Sequence, residues 1–205
     1  MSSYVFDIET DGLLDDVSKI HCLVLKDIDT QEITHYERED WYIGTNKLEK
    51  ADLIIGHNII KYDIPVLEKL FQFKTKSKIF DTLVATRLLY PDVRDQDFRR
   101  KDFPTKMIGR HSLAAWGYRI GEYKQSIETD WSEYTQEMLE YCIQDVEVTH
   151  SLYNLIEKKG YSKNAMQLEH DVVSIIHKQE QHGFTFNTEG AEKLYSKLNA
   201  RRMEL

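Results

Sequence analysis

The sequence predicts an α/β domain, a mixed sheet flanked by helices, followed by a C-terminal helical extension. Three observations carry that expectation: an alternating strand at the start, short apolar strands interleaved with helical stretches up to residue 160, and two helical stretches beyond it.

Ser3 to Glu9 alternates, with Tyr4, Phe6 and Ile8 on one side and Val5, Asp7 and Glu9 on the other, as in a strand with one core face. Both carboxylates therefore share a face. Further strands fit Ile20 to Leu25, Glu32 to Tyr36 and the apolar run Leu53 to Gly56, which ends at a turn. A helix follows near Asp63, with Pro65 suited to its first turn and Val66, Leu67 and Leu70 at helical spacing. Asp81-Thr82 opens another, ended by Pro91. Glu133 to Lys158 is the longest helical candidate, with Met138, Leu139, Cys142, Val146 and Leu152 recurring near a 3.6 period. Gly160 closes this domain. Beyond it, Leu168 to Lys178 and Glu189 to Leu205 read as helices joined by His182 to Asn187.

At 205 residues and 24.3 kDa the chain can fill one core and carry an appendage. Cys22 and Cys142 lie far apart in apolar stretches and read as reduced core residues, which points to a cytosolic home. No run approaches the roughly 18 to 20 apolar residues of a membrane span, and the first residues lack a signal-peptide layout. The eight histidines form no zinc spacing with the two cysteines.

A net charge of -8 and a pI near 5.5 argue against a generic nucleic-acid binder. A nuclease that works through divalent cations escapes this objection, because bound cations meet the phosphate and carboxylates hold the cations. From Arg94 to Arg110, six Lys or Arg stand against three Asp, either a solvated face or a strand-contacting loop.

Three constellations carry chemistry. Asp7 and Glu9, two apart on a strand, project the same way about 7 Å apart along the backbone and repel unless a cation sits between them. After the internal strand, Gly56 to Asp63 presents Asn58 and Asp63 where a helix begins; turn and cap preferences alone also favour these residue types. Tyr141 and Asp145 stand at i, i+4 on one helix face, where a carboxylate can hold a metal while the hydroxyl touches metal-bound water. Each alone is as readily structural; their order and contexts together are not.

D-x-E on a first strand, N-x-x-x-Y-D after an internal strand and Y-x-x-x-D in a late helix resemble the three motifs of the DEDD exonucleases. Tyr141 places the chain in the tyrosine subgroup, and Glu140 stands where the histidine subgroup carries its histidine. The resemblance extends to family A DNA polymerases, especially their phage branch, through Asp81-Thr82-Leu83, the segment His111 to Lys124 and the tail Glu180 to Thr188, where such enzymes pass into the polymerase.

The resemblance implies a ribonuclease H-like sheet and a 3'-to-5' proofreading exonuclease over residues 1–160, with residues 161–205 resembling the start of a polymerase domain. It implies two divalent cations, Mg or Mn, roughly 3.5 to 4 Å apart. Asp7, Glu9, Asp63 and Asp145 would hold them, with Asp7 bridging, and Tyr141 would orient the attacking water. Leu13 would be a wedge between the last two bases, Thr10 a contact to the terminal ribose, and Asn58 a polar contact beside the strand. The substrate would be a single-stranded or frayed DNA 3' end, the products deoxynucleoside 5'-monophosphates, and the location the cytoplasm, that of the host if phage-encoded. An RNA-trimming enzyme of the same subgroup and an idle binding scaffold are the alternatives. The chain ends at Met203-Glu204-Leu205 without a helix cap, so it is expected to be a fragment or one part of a split polymerase, with the polymerase subunit docking on the C-terminal helices.

Overall fold

The central strand β1 (Ser3–Thr10) buries both of its faces rather than the one its alternation suggests. The computed structural model describes residues 2–37, 40–123 and 129–204; Met1, Lys124 and Leu205 lie outside the described residues. Phe6 and Ile8 pack with Leu23, Leu25 and Ile54 beneath Leu48 and Leu67, whereas Val5 on the carboxylate face packs with Val24, Ile55, Cys142 and Val146. Val5 and Phe6 are both fully buried, so β1 lies inside a three-layer arrangement.

Around β1 the sheet is mixed, in the order β3-β2-β1-β4-β5. β2 (Ile20–Asp27) pairs antiparallel with β1 and with β3 (Ile33–Glu37). β4 (Leu53–Gly56) runs parallel to β1, and β5 (Lys78–Asp81) parallel to β4. Parallel neighbours need crossovers: α1 (Trp41–Lys50) precedes β4, and α2 (Asp63–Phe71) joins β4 to β5. Then come α3 (Thr82–Leu89), α4 (Val93–Phe98), a single 3-10 turn at Thr105–Met107, α5 (Leu113–Ile120) and α6 (Gln136–Lys159). The elements α1, β5, α4 and α5 fall where the sequence reading assigns none.

Local chemistry sets the boundaries. Thr135 accepts the Met138 amide at 3.3 Å, so α6 begins three residues later than its periodicity suggests. Gly160, at φ 70°, ends it. The buried Lys26 of β2 pairs with Glu147 of α6 at 2.6 Å, pinning the helix across the sheet. The basic stretch is ordered around Asp97, which takes a bidentate pair from Arg119 at 3.0 and 2.8 Å and the Gly109 amide at 2.9 Å.

Met1–Ser174 forms one compact unit and Ile175–Leu205 a second. Two further helices, α7 (Lys163–His182) and α8 (Thr188–Glu204), complete the chain. No helix among the described residues is long and apolar enough to cross a membrane.

Gly56 is where β4 comes closest to its surroundings, since an added Cβ would sit 2.2 Å from Ile59 Cγ2 and 3.0 Å from the Phe6 carbonyl. Gly56→Ala is therefore expected to cost about 1–3 kcal/mol by overpacking. Urea unfolding of the two proteins checks it; equal midpoints would mean that the loop yields freely.

Candidate active site

Asp7 and Glu9 occupy the C-terminal half of β1, on the face that α6 covers. One ligand atom from each of Asp7, Glu9 and Cys142 fits within a 4.8 Å group. The Cys142 thiol donates to Asp7 Oδ2 at 3.5 Å. Burial pushes that thiol well above its ordinary range, helped by Cys22, Asp7 and Glu9, so it stays a neutral donor. Both cysteines are free and buried. Cys142 is a candidate site residue that sequence reading assigned to the core alone.

Asp63 opens α2 and Asp145 lies on α6, one turn past Tyr141; the two carboxylates are 4% and 5% exposed. Burial pushes the Asp63 carboxyl up to about 7, and Asp81 and Asp145 add repulsion, against partial relief from the backbone at Asp63 and Ile8. The α2 N-terminus places a positive dipole end at Asp63, too little to offset this. Asp7, Glu9 and Cys142 thus form one group where β1 meets α6, and Asp63 is linked electrostatically to Asp81 and Asp145. The two carboxylates of Asp7 and Glu9 brought this close supply the oxygen ligands that hard divalent cations such as Mg or Mn take.

Asp81, at the end of β5, is the scaffold beneath this group. Its carboxylate accepts the amides of Asn58 at 2.9 Å, Ile60 at 3.1 Å and Leu83 at 2.9 Å, which ties the loop before Asp63 to the start of α3. Its own amide donates to His170 Nε2 at 2.8 Å, while His170 Nδ1 donates to the Met166 carbonyl at 2.8 Å. In that loop Asn58 adopts φ 69°, a left-handed conformation that asparagine tolerates. His57 Nδ1 meets the Thr82 hydroxyl at 2.9 Å.

Beside the carboxylates lies a cleft of about 420 Å³ lined by Glu9, Thr10, Asp11, Leu13, Tyr62 and Trp131, among others. Leu13 is 76% exposed, so it is not a core residue. Its loop is clamped: Asp11 Oδ1 accepts the Ser18 and Lys19 amides at 2.9 and 3.1 Å, and Lys69 Nζ donates to the Leu14 and Asp15 carbonyls, each at 2.8 Å. The Thr10 hydroxyl lies against that of Tyr62 and donates to the Gly12 carbonyl at 3.0 Å. Asn58 instead lines a separate cavity of about 650 Å³ with His57, Arg87, Arg110 and His111, so the structure divides the expected substrate contacts between two recesses.

A family model described as 3'-5' exonuclease matches residues 5–160. The chain is 34% identical to the DNA-directed DNA polymerase of Escherichia phage T7 across 98% of its own length and 36% of the polymerase; the Enterobacteria phage T3 polymerase matches equally. It therefore spans about a third of the length of these relatives. Among solved structures, Brucella melitensis NrnC superposes with a TM-score of 0.60 at 20% identity, covering 88% of this chain and 86% of that one. Escherichia coli RNase D, an exoribonuclease, does so with 0.53 at 14% identity over 86% and 45%. These likenesses establish the ribonuclease H-like fold.

Asp63 holds its proton more tightly folded than unfolded, so its stabilising contribution is full below pH 4 and is lost as pH rises towards about 7. Thermal melts in EDTA at pH 5 and pH 8 should give the wild type a larger loss of Tm on raising the pH than Asp63→Asn. Equal losses would contradict the assignment.

Proposed function

The chain belongs to the 3'-5' exonuclease family of the A-type DNA polymerases, and on that premise we propose that it removes nucleotides from single-stranded or frayed DNA 3' ends by metal-assisted hydrolysis. The observation that carries this reading is the meeting of Asp7 and Glu9 of β1 with Cys142 of α6, on the helix that also bears Tyr141 and the buried Asp145.

Asp7, Glu9, Asp63 and Asp145 would hold two divalent cations, Mg or Mn. When bound, these supply charge neutralisation at the phosphate and a lowered pKa for water. Tyr141 orients the attacking water, and Glu9 receives its proton. The water oxygen bonds to phosphorus, the bond from phosphorus to the 3' oxygen breaks, and that oxygen takes a proton from solvent while Glu9 returns one to solvent, leaving a shortened strand with a 3'-hydroxyl and a deoxynucleoside 5'-monophosphate. Leu13 separates the last two bases, Thr10 meets the terminal ribose, and Asn58 contacts the strand from its own recess. An unstacked end suits this arrangement better than a duplex, because the cleft takes a base out of its stack.

In this reading residues 1–160 are the nuclease and residues 161–205 begin a polymerase domain. The second unit exposes Ile175, Phe184, Phe186, Tyr195 and Met203 by more than half, an apolar surface suited to a polymerase partner, whether continuous in the chain or a separate subunit. The proposed setting is the cytoplasm, that of an infected host if the chain is phage-encoded.

Incubation of the chain with a 5'-labelled single strand and Mg or Mn should give a ladder shortening from the 3' end, abolished by EDTA or by the Asp7→Ala, Glu9→Ala pair. Tyr141→Phe should slow it by about 10²-fold. An RNA strand in parallel tests the RNA-trimming alternative. Absence of any ladder with either metal and either strand would overturn the nuclease reading in favour of a binding scaffold.

A further inference from the structure

We propose that His170 of α7 is a positioning residue for the Asp63 loop: through Asp81 it holds the segment that carries Asn58 and leads into Asp63. This rests on the exonuclease reading and extends the nuclease beyond Gly160, into a helix that the sequence assigns to the extension.

The need arises at the edge of the sheet. Among the described residues β5 is an outermost strand, paired with β4 on one side alone, so its outward amides have no further strand to meet. At Asp81, the last residue of β5, a side chain takes the place of that strand: the amide donates to Nε2 of His170 at 2.8 Å. The ring is set from its other nitrogen, where Nδ1 donates to the Met166 carbonyl at 2.8 Å, which leaves Nε2 as the acceptor. His170 is buried, and its ring lies beside that of Phe80 with 5.6 Å between centroids. Phe80, Asp81, Met166 and His170 all belong to the first compact unit, and Met166 packs into the same core as Leu152 and Ile156 of α6.

From Asp81 the link passes to the site. The backbone of Asp81 is fixed by Gly56 of β4 on one side and by His170 on the other, and its carboxylate accepts the amides of Asn58, Ile60 and Leu83. Within the loop the Asn58 carbonyl accepts the amides of Lys61 and Tyr62, each at 3.2 Å, and the Ile59 carbonyl accepts that of Ile64 at 3.0 Å. A displacement of Asp81 is therefore carried by hydrogen bonds to the first turn of α2, where Asp63 sits. Removing the acceptor at position 170 leaves the buried Asp81 amide without a partner, a cost that such a displacement relieves.

Two full-length variants separate the acceptor from the ring. His170→Phe keeps an aromatic ring beside Phe80 and has no acceptor, whereas His170→Gln loses the ring and places an amide oxygen at the same reach as Nε2. Hydrogen exchange read by mass spectrometry in EDTA requires neither cation nor turnover. Residues 57–64 and 80–84 should exchange about 2- to 10-fold faster in His170→Phe than in the wild type, with β1 and β2 unchanged and His170→Gln close to the wild type. Cleavage of a labelled single strand with Mn should slow about 10-fold or more in His170→Phe and be largely kept in His170→Gln. Wild-type exchange at 57–64 in His170→Phe, an equal rise in β1 and β2, or undiminished cleavage by a loosened loop would overturn the proposal. So would a loosened loop in His170→Gln with a protected one in His170→Phe, which would assign His170 to packing alone. Should His170→Phe not fold, His170→Gln decides: a protected loop upholds the acceptor role and an opened one overturns it. The expected exchange pattern in a chain that cleaves neither DNA nor RNA would uphold the link from α7 to the loop and sink the nuclease reading instead.

Discussion

Carboxylates gathered in a buried site repel one another, and the fold exists to hold them together against that repulsion. Asp63 and Asp145 are nearly inaccessible, and Asp63 retains its proton up to about 7 because burial and its neighbours penalise the charge. On the proposed reading divalent ions bound here would offset that cost, which reconciles a net charge of -8 with a polyanionic substrate.

Three devices keep the cluster in place. The mixed sheet buries β1 on both faces, so the strand bearing Asp7 and Glu9 cannot yield. The Lys26–Glu147 pair sets α6 across β2 and thereby sets Tyr141 and Asp145. Asp81 gathers three amides from two segments and fixes the loop that leads into Asp63. A carboxylate with three amide donors is a structural hub even though it stands next to the reactive ones, and its function is to position Asn58 and Asp63 rather than to meet substrate.

Much of this was legible in the sequence, for physical reasons. Alternation in Ser3 to Glu9 and the 3.6 period of α6 are local signals, and the i, i+2 and i, i+4 spacings already put each pair of site residues on one face. What was hidden was non-local. β5 is four residues long and begins with an exposed lysine, so only pairing with β4 makes it a strand. α5 has Gly117 in its interior, which local propensity counts against a helix although tertiary packing around Trp116 overrides it. Cys142 is indistinguishable from a core residue until Asp7 lies 3.5 Å away, and Trp131 has no pattern of its own before Tyr141 and the cleft surround it. The separation of Asn58 from Leu13 into two recesses likewise depends on where α3 and the segment around Arg110 come to rest.

Whether these carboxylates bind two divalent ions, as proposed, is read by calorimetric titration of the purified chain with Mn2+, without substrate or turnover. Two ions bound per chain in the wild type and loss of that paired binding in Asp7→Ala are the expected results. A wild-type chain that takes up no Mn2+, or an Asp7→Ala chain that binds both ions as before, would contradict the proposal.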